Sequence, residues 1–336
     1  EAKHIILATG GRSRQLPTMP IDGKKIIGYR DAMVLPEMPK SMIVVGSGAI
    51  GVEFAYFYNS MGTKVTIVEF LPRIVPVEDE DISKELEKQY KKNGIDIMTN
   101  SEVTSVDTSG AGVKAKVKTA TGEVLLEADV LLSAVGVAAN IEGIGLEALG
   151  IKTEKGRILV DKYSQTNIPG IYAIGDCSPG QALAHVASKE GIVCVEAIAY
   201  NEKKYNHLPE AIDYNNIPGC TYCVPEIASV GYTEKQAKDA GYEIKVGKFP
   251  LSASGKASAA GHTEGFVKVI FDAKYGEWLG THMIGYNVTE LIAETVTARK
   301  LETTYHEVLN AIHPHPTISE SIKDAIEVAY GEAIHI

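Results

Sequence analysis

A histidine-rich motif near the C-terminus has the composition of an acid–base centre. It reads His-Pro-His-Pro-Thr-Ile-Ser-Glu over residues 313–320. An imidazole has an unperturbed pKa near ~6.5, and a neighbouring carboxylate can fix its tautomer and stabilise the imidazolium. His315 and Glu320 are therefore candidate catalytic residues, with His313 two residues before the pair. Three alternatives stay open: Glu320 ends a capping box that starts the last helix, the histidines are surface or packed residues, or His-x-His binds a metal.

A glycine-rich turn is the second candidate site, because it matches the G-x-G-x-x-G pattern of dinucleotide-binding proteins. The first glycine permits the tight turn, the second allows backbone to approach a pyrophosphate, and the third lets helix and strand pack closely. A turn without a ligand is the alternative. The matching residues are Gly46, Ser47, Gly48, Ala49, Ile50 and Gly51.

Glu69 stands at the end of the next predicted strand, where dinucleotide-binding units carry an acidic residue. Its carboxylate can accept both ribose hydroxyls of NAD and would repel a 2′-phosphate. A solvated carboxylate at the strand end is the alternative. Arg73 lies four residues further on, which leaves NADP open, and NAD is preferred.

The four cysteines predict structural thiols. Cys220 and Cys223 form a C-x-x-C, which can be redox-active beside a helix N-terminus. Here Pro-Gly precedes the pair, Val-Pro follows it, and no helical pattern comes after. No second C-x-x-C exists to complete a zinc ribbon, so a structural pair is the stronger interpretation. Cys177 and Cys194 lie in apolar sequence and are predicted to be core thiols.

The elements that must position these residues alternate between strands and helices. A strand over 41–45, a helix from Ile50 to Met61 closed by Gly62, and a strand over 64–68 form a βαβ unit around the glycine turn. Hydrophobic periodicity and turn residues predict the remaining elements. These are a buried strand over 4–7, a helix over 82–93, a hairpin of 113–119 with 123–127, a buried strand over 129–135, a strand over 171–174, a helix over 184–200, an antiparallel pair of 265–271 with 278–284, and helices over 288–299, 304–311 and 318–330.

Length and composition describe an ordinary globular protein of two or three domains. The chain has 336 residues, a formal net charge of −10, 45% hydrophobic residues and 23% charged residues. Net acidity argues against a nucleic-acid partner, which would need clustered lysine and arginine. No apolar run approaches the ~18 residues of a membrane span, and no signal-peptide anatomy is present. We therefore expect no membrane association and a cytoplasmic location.

Taken together, the motifs resemble those of the flavoprotein pyridine nucleotide-disulfide oxidoreductases, and within them the dihydrolipoamide dehydrogenase group. The resemblance covers essentially the whole chain, since four motifs occur in the family's order. They are Ala8-Thr9-Gly10, Gly46 to Glu53 with Glu69, Ile171 to Asp176, and His313 to Thr317. It implies an α/β fold with a Rossmann-like NAD-binding domain, the remnant of a Rossmann-like FAD-binding domain and an α+β dimerisation domain. The implied segments are 1–36 for the FAD-domain remnant, 37–154 for NAD, 155–215 for the central FAD segment, and 216–336 for the interface.

The resemblance also assigns roles to residues that no spacing argument reaches. Asp176 is similar to the residue that holds the flavin's ribityl chain. Glu53 is similar to a carboxylate near the flavin–nicotinamide contact, with an ordinary helix glutamate as the alternative. Val103 and Gly136 match positions that line the NAD site. The segments that match flavin contacts are Thr9, Gly10 and Gly11, and Ala182, Leu183, Ala184 and His185.

The reaction implied is FAD-dependent oxidation of a dihydrolipoyl dithiol with reduction of NAD. By resemblance, His315 takes the dithiol proton and Glu320 orients it, in an obligate homodimer whose histidine reaches the partner's active site. Lipoyl domains of 2-oxo acid dehydrogenase or glycine cleavage complexes are the implied partners. The alternatives are a glutathione reductase-like or other pyridine nucleotide-disulfide reductase, an NADH oxidase, or a non-catalytic NAD-binding and dimerisation fragment.

The sequence departs from the family pattern in two ways. The family's N-terminal G-x-G-x-x-G for FAD and its C-x4-C redox pair are both missing, and the chain opens on Glu1 without an initiator Met. We therefore expect an N-terminally truncated enzyme that binds FAD weakly or not at all and is inactive alone. Ala138-Ala139 also stand where many members carry Arg, which affects the surface of the NAD domain.

Overall fold

The structure, a computed structural model, describes residues 1–336 and divides into two compact units. The first unit comprises Glu1–Arg14 and Gly136–Tyr214, and the second comprises Gln15–Val135 and Asn215–Ile336. The strands are β1 Ile5–Leu7, β2 Gly11–Ser13, β3 Ile26–Ile27, β4 Ser41–Val45, β5 Lys64–Val68, β6 Asp96–Met98, β7 Glu102–Asp107, β8 Val113–Thr119, β9 Gly122–Ala128, β10 Val130–Ser133, β11 Val137–Ala139, β12 Thr153–Glu154, β13 Arg157–Ile158, β14 Ile171–Ala173, β15 Gly219–Thr221, β16 Glu226–Gly231, β17 Ile244–Pro250, β18 Phe266–Asp272 and β19 Trp278–Gly285. The helices are α1 Tyr29–Ala32, α2 Ala49–Ser60, α3 Glu80–Lys92, α4 Leu146–Leu149, α5 Ala184–Asn201, α6 Glu234–Asp239, α7 Gly255–Ala260, α8 Val288–Lys300, α9 Tyr305–Asn310 and α10 Glu320–Tyr330. The four predicted domain segments stay a prediction.

The first unit combines three short two-stranded pairings with one long helix. Strand β1 pairs in parallel with β14, β2 pairs antiparallel with β11, and β12 pairs antiparallel with β13. Helix α5 begins after Leu183, as predicted for the segment 184–200. A small apolar core holds the unit together. Its buried members are Ala139, Leu146, Ile151, Ile158, Ala173 and Cys177.

The prediction of a buried strand over 4–7 is correct about the strand and wrong about its burial. Strand β1 forms, but Ile5 and Ile6 are 46% and 36% exposed. The physical reason is the width of the sheet. With β14 as its one hydrogen-bonded neighbour, β1 belongs to a sheet too narrow to be covered on both sides.

A parallel sheet in the second unit carries the glycine turn. Its strand order is β3-β10-β4-β5-β6, and every neighbouring pair is parallel. Parallel strands are buried on both faces, which explains the unbroken apolar run of β4. The predicted βαβ unit is confirmed as β4, α2 and β5, and Gly62 follows the helix in a left-handed conformation, φ +96°.

An antiparallel group of three strands, β7-β8-β9, accompanies the parallel sheet. The predicted hairpin is confirmed as β8 and β9. Val113, Ala115 and Val117 alternate with exposed lysines and are buried in the same cluster as Ile43 and Val45 of β4. The predicted helix over 82–93 is confirmed as α3, which Asp79 caps at its N-terminus.

A five-stranded antiparallel sheet forms the rest of the second unit, in the order β15-β16-β19-β18-β17. Helix α10 packs against β17 and β18, and α8 packs against β16 and β19. The predicted strand pair and the last three helices are confirmed. This arrangement places the His-Pro segment between α9 and α10. No helix is both long enough and apolar enough to span a bilayer.

Candidate functional site

Backbone contact at both ends of the glycine turn requires glycine. Gly46 has φ +96°, and a Cβ at this position would overlap the carbonyl oxygen of Ala134. A Cβ at Gly51 would overlap the carbonyl oxygen of Gly46. Gly48 differs, since a Cβ there would meet no protein atom within 4 Å. The first and third glycines therefore serve packing, while the second faces open space.

The N-terminus of helix α2 has the properties of an anion site. Gly48 is its N-cap residue, no side chain caps it, and its first turn contains no acidic residue. The first amide groups of a helix lack intrahelical partners and carry the positive end of the dipole. Open space in front of Gly48 and uncapped amides behind it fit a pyrophosphate. The side chains of Ala49 and Ile50 belong to this first turn.

Glu69 lies beside the turn, and its carboxylate is already engaged there. Its Oε2 accepts hydrogen bonds from the backbone N of Ser47 at 2.8 Å and from the Ser47 hydroxyl at 2.6 Å. Its Oε1 accepts from the backbone N of Leu71 at 2.7 Å. Both Glu69 and Ser47 are buried. The carboxylate thus holds the glycine turn in shape, and its predicted contact with a ribose stays a prediction.

Two further residues predicted near the nucleotide have protein partners. The Glu53 carboxylate on α2 accepts a hydrogen bond from the backbone N of Tyr222 at 2.8 Å, and burial raises its pKa. Val103 is buried in the cluster that contains Val45 and Val68. Val103 is therefore a core residue in this structure, and a contact with nucleotide stays a prediction, as does one for Gly136, which has φ +110°.

The first unit brings together two motifs that are far apart in sequence. A Cβ at Gly11 would lie 3.1 Å from Oδ2 of Asp176, so the Asp176 carboxylate lies over the backbone of Gly11. Asn140 holds the two residues that precede Gly11. Its backbone N donates to Gly10 O at 2.9 Å, and its side chain donates to Thr9 O at 3.0 Å. Gly11 and Asp176, two residues predicted to contact a flavin, therefore lie side by side, and the flavin contacts themselves stay a prediction.

Helix α5 starts close to that turn. Leu183 is its N-cap residue without a side-chain cap, and Ala182, Ala184 and His185 are exposed. Glu190, further along the helix, accepts a hydrogen bond from the backbone N of Gly175. The sequence analysis missed Glu190. Its spacing from the buried Val186, Val193 and Ala197 places it on the core-facing side of the helix, which is a signal that periodicity alone could have detected.

His315 and Glu320 form the pair that their spacing suggested. Nδ1 of His315 lies 2.9 Å from Oε1 of Glu320, and the imidazole is 78% exposed. The other carboxylate oxygen, Oε2, accepts a hydrogen bond from the backbone N of Thr317 at 2.8 Å. Glu320 therefore supports the turn before α10 and orients the histidine at once. The Nε2 edge of the imidazole remains available for proton transfer.

His313 has a different role from His315, because its ring is packed. Its Nε2 lies 2.8 Å from Oε1 of Glu294 on helix α8. The contact ties an otherwise exposed segment to the body of the second unit. Glu294 is a further residue that the sequence analysis missed, and no local signal points to it.

The described residues form neither a metal site nor a reactive thiol pair. The structure contains no group of three or more His, Cys, Asp or Glu side chains that could hold a metal ion. All four cysteines are free thiols. Burial raises the pKa of Cys194 to about 11 and that of Cys223 to about 12. Cys177 and Cys194 are buried as predicted, and for Cys194 and Cys223 the thiolate form that redox chemistry needs is disfavoured.

Two family patterns match the chain. Residues 1–191 match the pyridine nucleotide-disulphide oxidoreductase family, and residues 217–326 match the dimerisation domain of the same family. These matches agree with the mixed α/β fold that the sequence analysis predicts.

Individual relatives point the same way. A dihydrolipoyl dehydrogenase from Rhizobium etli is 51% identical over 99% of this chain and 69% of its own length. A dihydrolipoyl dehydrogenase from Zymomonas mobilis is 47% identical over 100% of this chain and 71% of its own length. The crystal structure of LpdA from Mycobacterium tuberculosis superposes with a TM-score of 0.87 at 30% identity, covering 97% of this chain and 69% of that one.

Proposed function

Since this chain belongs to the pyridine nucleotide-disulphide oxidoreductase family, we propose that it supplies the nucleotide site and the acid–base pair of a dihydrolipoyl dehydrogenase. The observation that carries the proposal is the contact between His315 and Glu320. A carboxylate engaged with one ring nitrogen of an exposed imidazole is an arrangement for moving protons, which a binding module alone does not need.

The second unit fits a nicotinamide nucleotide. Gly48 and the uncapped start of α2 would take the pyrophosphate, and Glu69 would accept from the adenosine ribose with its remaining lone pairs. Glu69 favours NAD over NADP, because a buried carboxylate repels a 2′-phosphate. The first unit fits part of a flavin through the close approach at Gly11 and the Asp176 carboxylate. When bound, the flavin and the nicotinamide supply the electron and hydride transfer.

Proton transfer belongs to the protein. With Nδ1 of His315 engaged by Glu320, Nε2 is the atom that takes a proton from a substrate thiol. Partial burial works to raise the pKa of Glu320, but hydrogen bonds from Thr317 N and His315 outweigh it and hold this pKa below its usual value. Glu320 is therefore a carboxylate at neutral pH and stabilises the imidazolium that forms.

The thiol–disulfide exchange needs a redox pair that the four cysteines of this sequence do not form. Cys177, Cys194 and Cys223 are buried, and Cys220 has a raised pKa because it is partly buried and faces carboxylates. These 336 residues by themselves are therefore expected to bind nicotinamide nucleotide without turnover. A homodimer formed through the dimerisation domain, acting on lipoyl domains of 2-oxo acid dehydrogenase or glycine cleavage complexes, completes the proposal.

Nucleotide binding gives the first test. Gly48→Val fills the open space in front of α2 without touching protein atoms, and Gly110→Val is the matched control in an equally open loop. We expect calorimetry with NADH to show at least a tenfold loss of affinity for Gly48→Val and none for Gly110→Val. Wild-type affinity for NADH in Gly48→Val would refute the proposed nucleotide site.

Catalysis is tested separately in the natural full-length protein. His315→Gln should lower the rate of dihydrolipoamide oxidation by ~10²-fold or more, while NADH-dependent reduction of ferricyanide persists. Retained dihydrolipoamide activity would remove His315 from the mechanism. Loss of both activities would show that the variant damages the nucleotide or flavin site instead.

A further inference from the structure

We propose that Glu190 is a positioning residue, which holds the turn at Gly175–Cys177 so that Asp176 is set for the flavin. The inference rests on the proposed function, in which Asp176 contacts the flavin. It concerns a residue outside every motif described above. Glu190 is buried, accepts two hydrogen bonds, and contacts Gly175, which has a left-handed conformation.

Glu190 is a carboxylate in an apolar place. Its residue is 3% exposed, on the side of α5 that buries Val186, Val193 and Ala197. A buried carboxylate is costly unless hydrogen bonds replace its hydration, so an apolar residue would serve packing better here. We therefore infer that the carboxylate serves the hydrogen bonds that it accepts and not the packing of the helix.

Both carboxylate oxygens are used. Oε2 accepts from the backbone N of Gly175 at 2.6 Å, and Oε1 accepts from the hydroxyl of Tyr214 at 2.7 Å. Charge-assisted hydrogen bonds of this length are the strong ones. Burial and the adjacent Glu190 raise the pKa of Tyr214, so the phenol stays protonated and remains a donor. This one carboxylate on helix α5 thus connects the turn that contains Asp176 with Tyr214, which lies later in the chain.

Gly175 transmits this contact to Asp176. It has φ +68°, a left-handed conformation that favours glycine, and a Cβ there would lie 3.2 Å from the Cβ of Ala187. The Gly175 N–H is partly buried, and a backbone N–H away from water needs an acceptor. Glu190 accepts it, which fixes the peptide that leads into Asp176 and keeps the Asp176 carboxylate over Gly11.

The test uses the natural full-length protein and measures flavin retention. Glu190→Ala should weaken flavin binding at least tenfold, while Glu190→Gln, which can still accept from Gly175 N, should stay within about threefold of wild type. Glu196→Gln on the same helix is the control and should change nothing. A second readout is the amide proton of Gly175 in NMR spectra, which should move upfield in Glu190→Ala and not in Glu196→Gln.

A double-mutant cycle with Asp176→Ala separates positioning from general stability. If Glu190 acts through Asp176, Glu190→Ala costs little further affinity once Asp176→Ala is present. Additive losses, or wild-type flavin affinity in Glu190→Ala, would overturn the inference. If Asp176→Ala alone keeps wild-type affinity, the proposed flavin site fails instead. Should Glu190→Ala not fold, Tyr214→Phe removes one of its two donors and should weaken flavin binding about threefold, and no change would count against the proposal.

Discussion

Glu78 makes the stability of the second unit depend on pH in the neutral range. Its side chain is buried between the start of α3 and strand β16, and its Oε2 has no hydrogen-bond partner. Burial is the main cause that raises its pKa; a hydrogen bond with Ser229 opposes it, the charge of Asp79 adds to it, and the net result is a rise from 4.5 to about 7. The carboxyl group is therefore neutral in the folded protein at a pH where the unfolded chain ionises it.

The sign and the size follow from this difference. Because the folded-state pKa is raised, the associated stability is complete below pH 4.5 and is lost as the pH rises through about 7. At about 1.4 kcal/mol per pH unit, the complete loss for a shift from 4.5 to about 7 is about 3.5 kcal/mol. His282 changes stability in the opposite sense, since burial lowers its pKa. Only a comparison between variants isolates the contribution of Glu78.

The assay is urea unfolding followed by tryptophan fluorescence at pH 5, 6, 7 and 8. The sequence contains a single tryptophan, Trp278, which is buried in β19 beside β16. We expect wild type to lose about 2.5 kcal/mol relative to Glu78→Gln between pH 5 and pH 8, because a part of the loss already occurs below pH 5. Glu80→Gln, two residues on and exposed, should run parallel to wild type. Parallel profiles for wild type and Glu78→Gln would refute the reasoning.

Three more predictions follow from buried contacts of the second unit. Gly51→Ala drives a methyl group into the carbonyl oxygen of Gly46 and should lower the unfolding temperature and abolish NADH binding in calorimetry, whereas wild-type affinity would contradict the packing argument. Lys268→Met leaves Asp79 without its ion-pair partner at 2.8 Å and should cost about 3–5 kcal/mol in urea unfolding at pH 7, with a smaller cost at pH 4, where the unpaired Asp79 carboxylate of the variant can protonate; a constant cost would count against it. His313→Ala removes the contact with Glu294 on helix α8 and should speed amide hydrogen exchange at residues 311, 312, 313 and 315, while His313→Gln should largely retain protection; wild-type exchange in His313→Ala would show that the contact is not needed.

Local patterns in the sequence determine a large part of this protein. The βαβ unit around the glycine turn is readable because strand and helix periodicities and the glycine spacing all lie within about thirty residues. Glu320 is equally local. A capping role and a catalytic role for Glu320 are compatible, because its two carboxylate oxygens contact Thr317 and His315 separately and all three residues lie within a span of six.

Tertiary structure decides what long-range packing controls. No local pattern shows that Glu69 holds Ser47 across 22 positions, that Glu190 reaches back 15 positions to Gly175, or that Glu294 anchors a histidine 19 positions later. The exposure of Ile5 is a similar case, since an apolar strand is buried only where neighbouring elements cover it. Residue type and spacing set which contacts are chemically possible, and the packing of distant segments selects among them, because hydrogen-bond partners depend on angstrom-scale distances that no single segment determines.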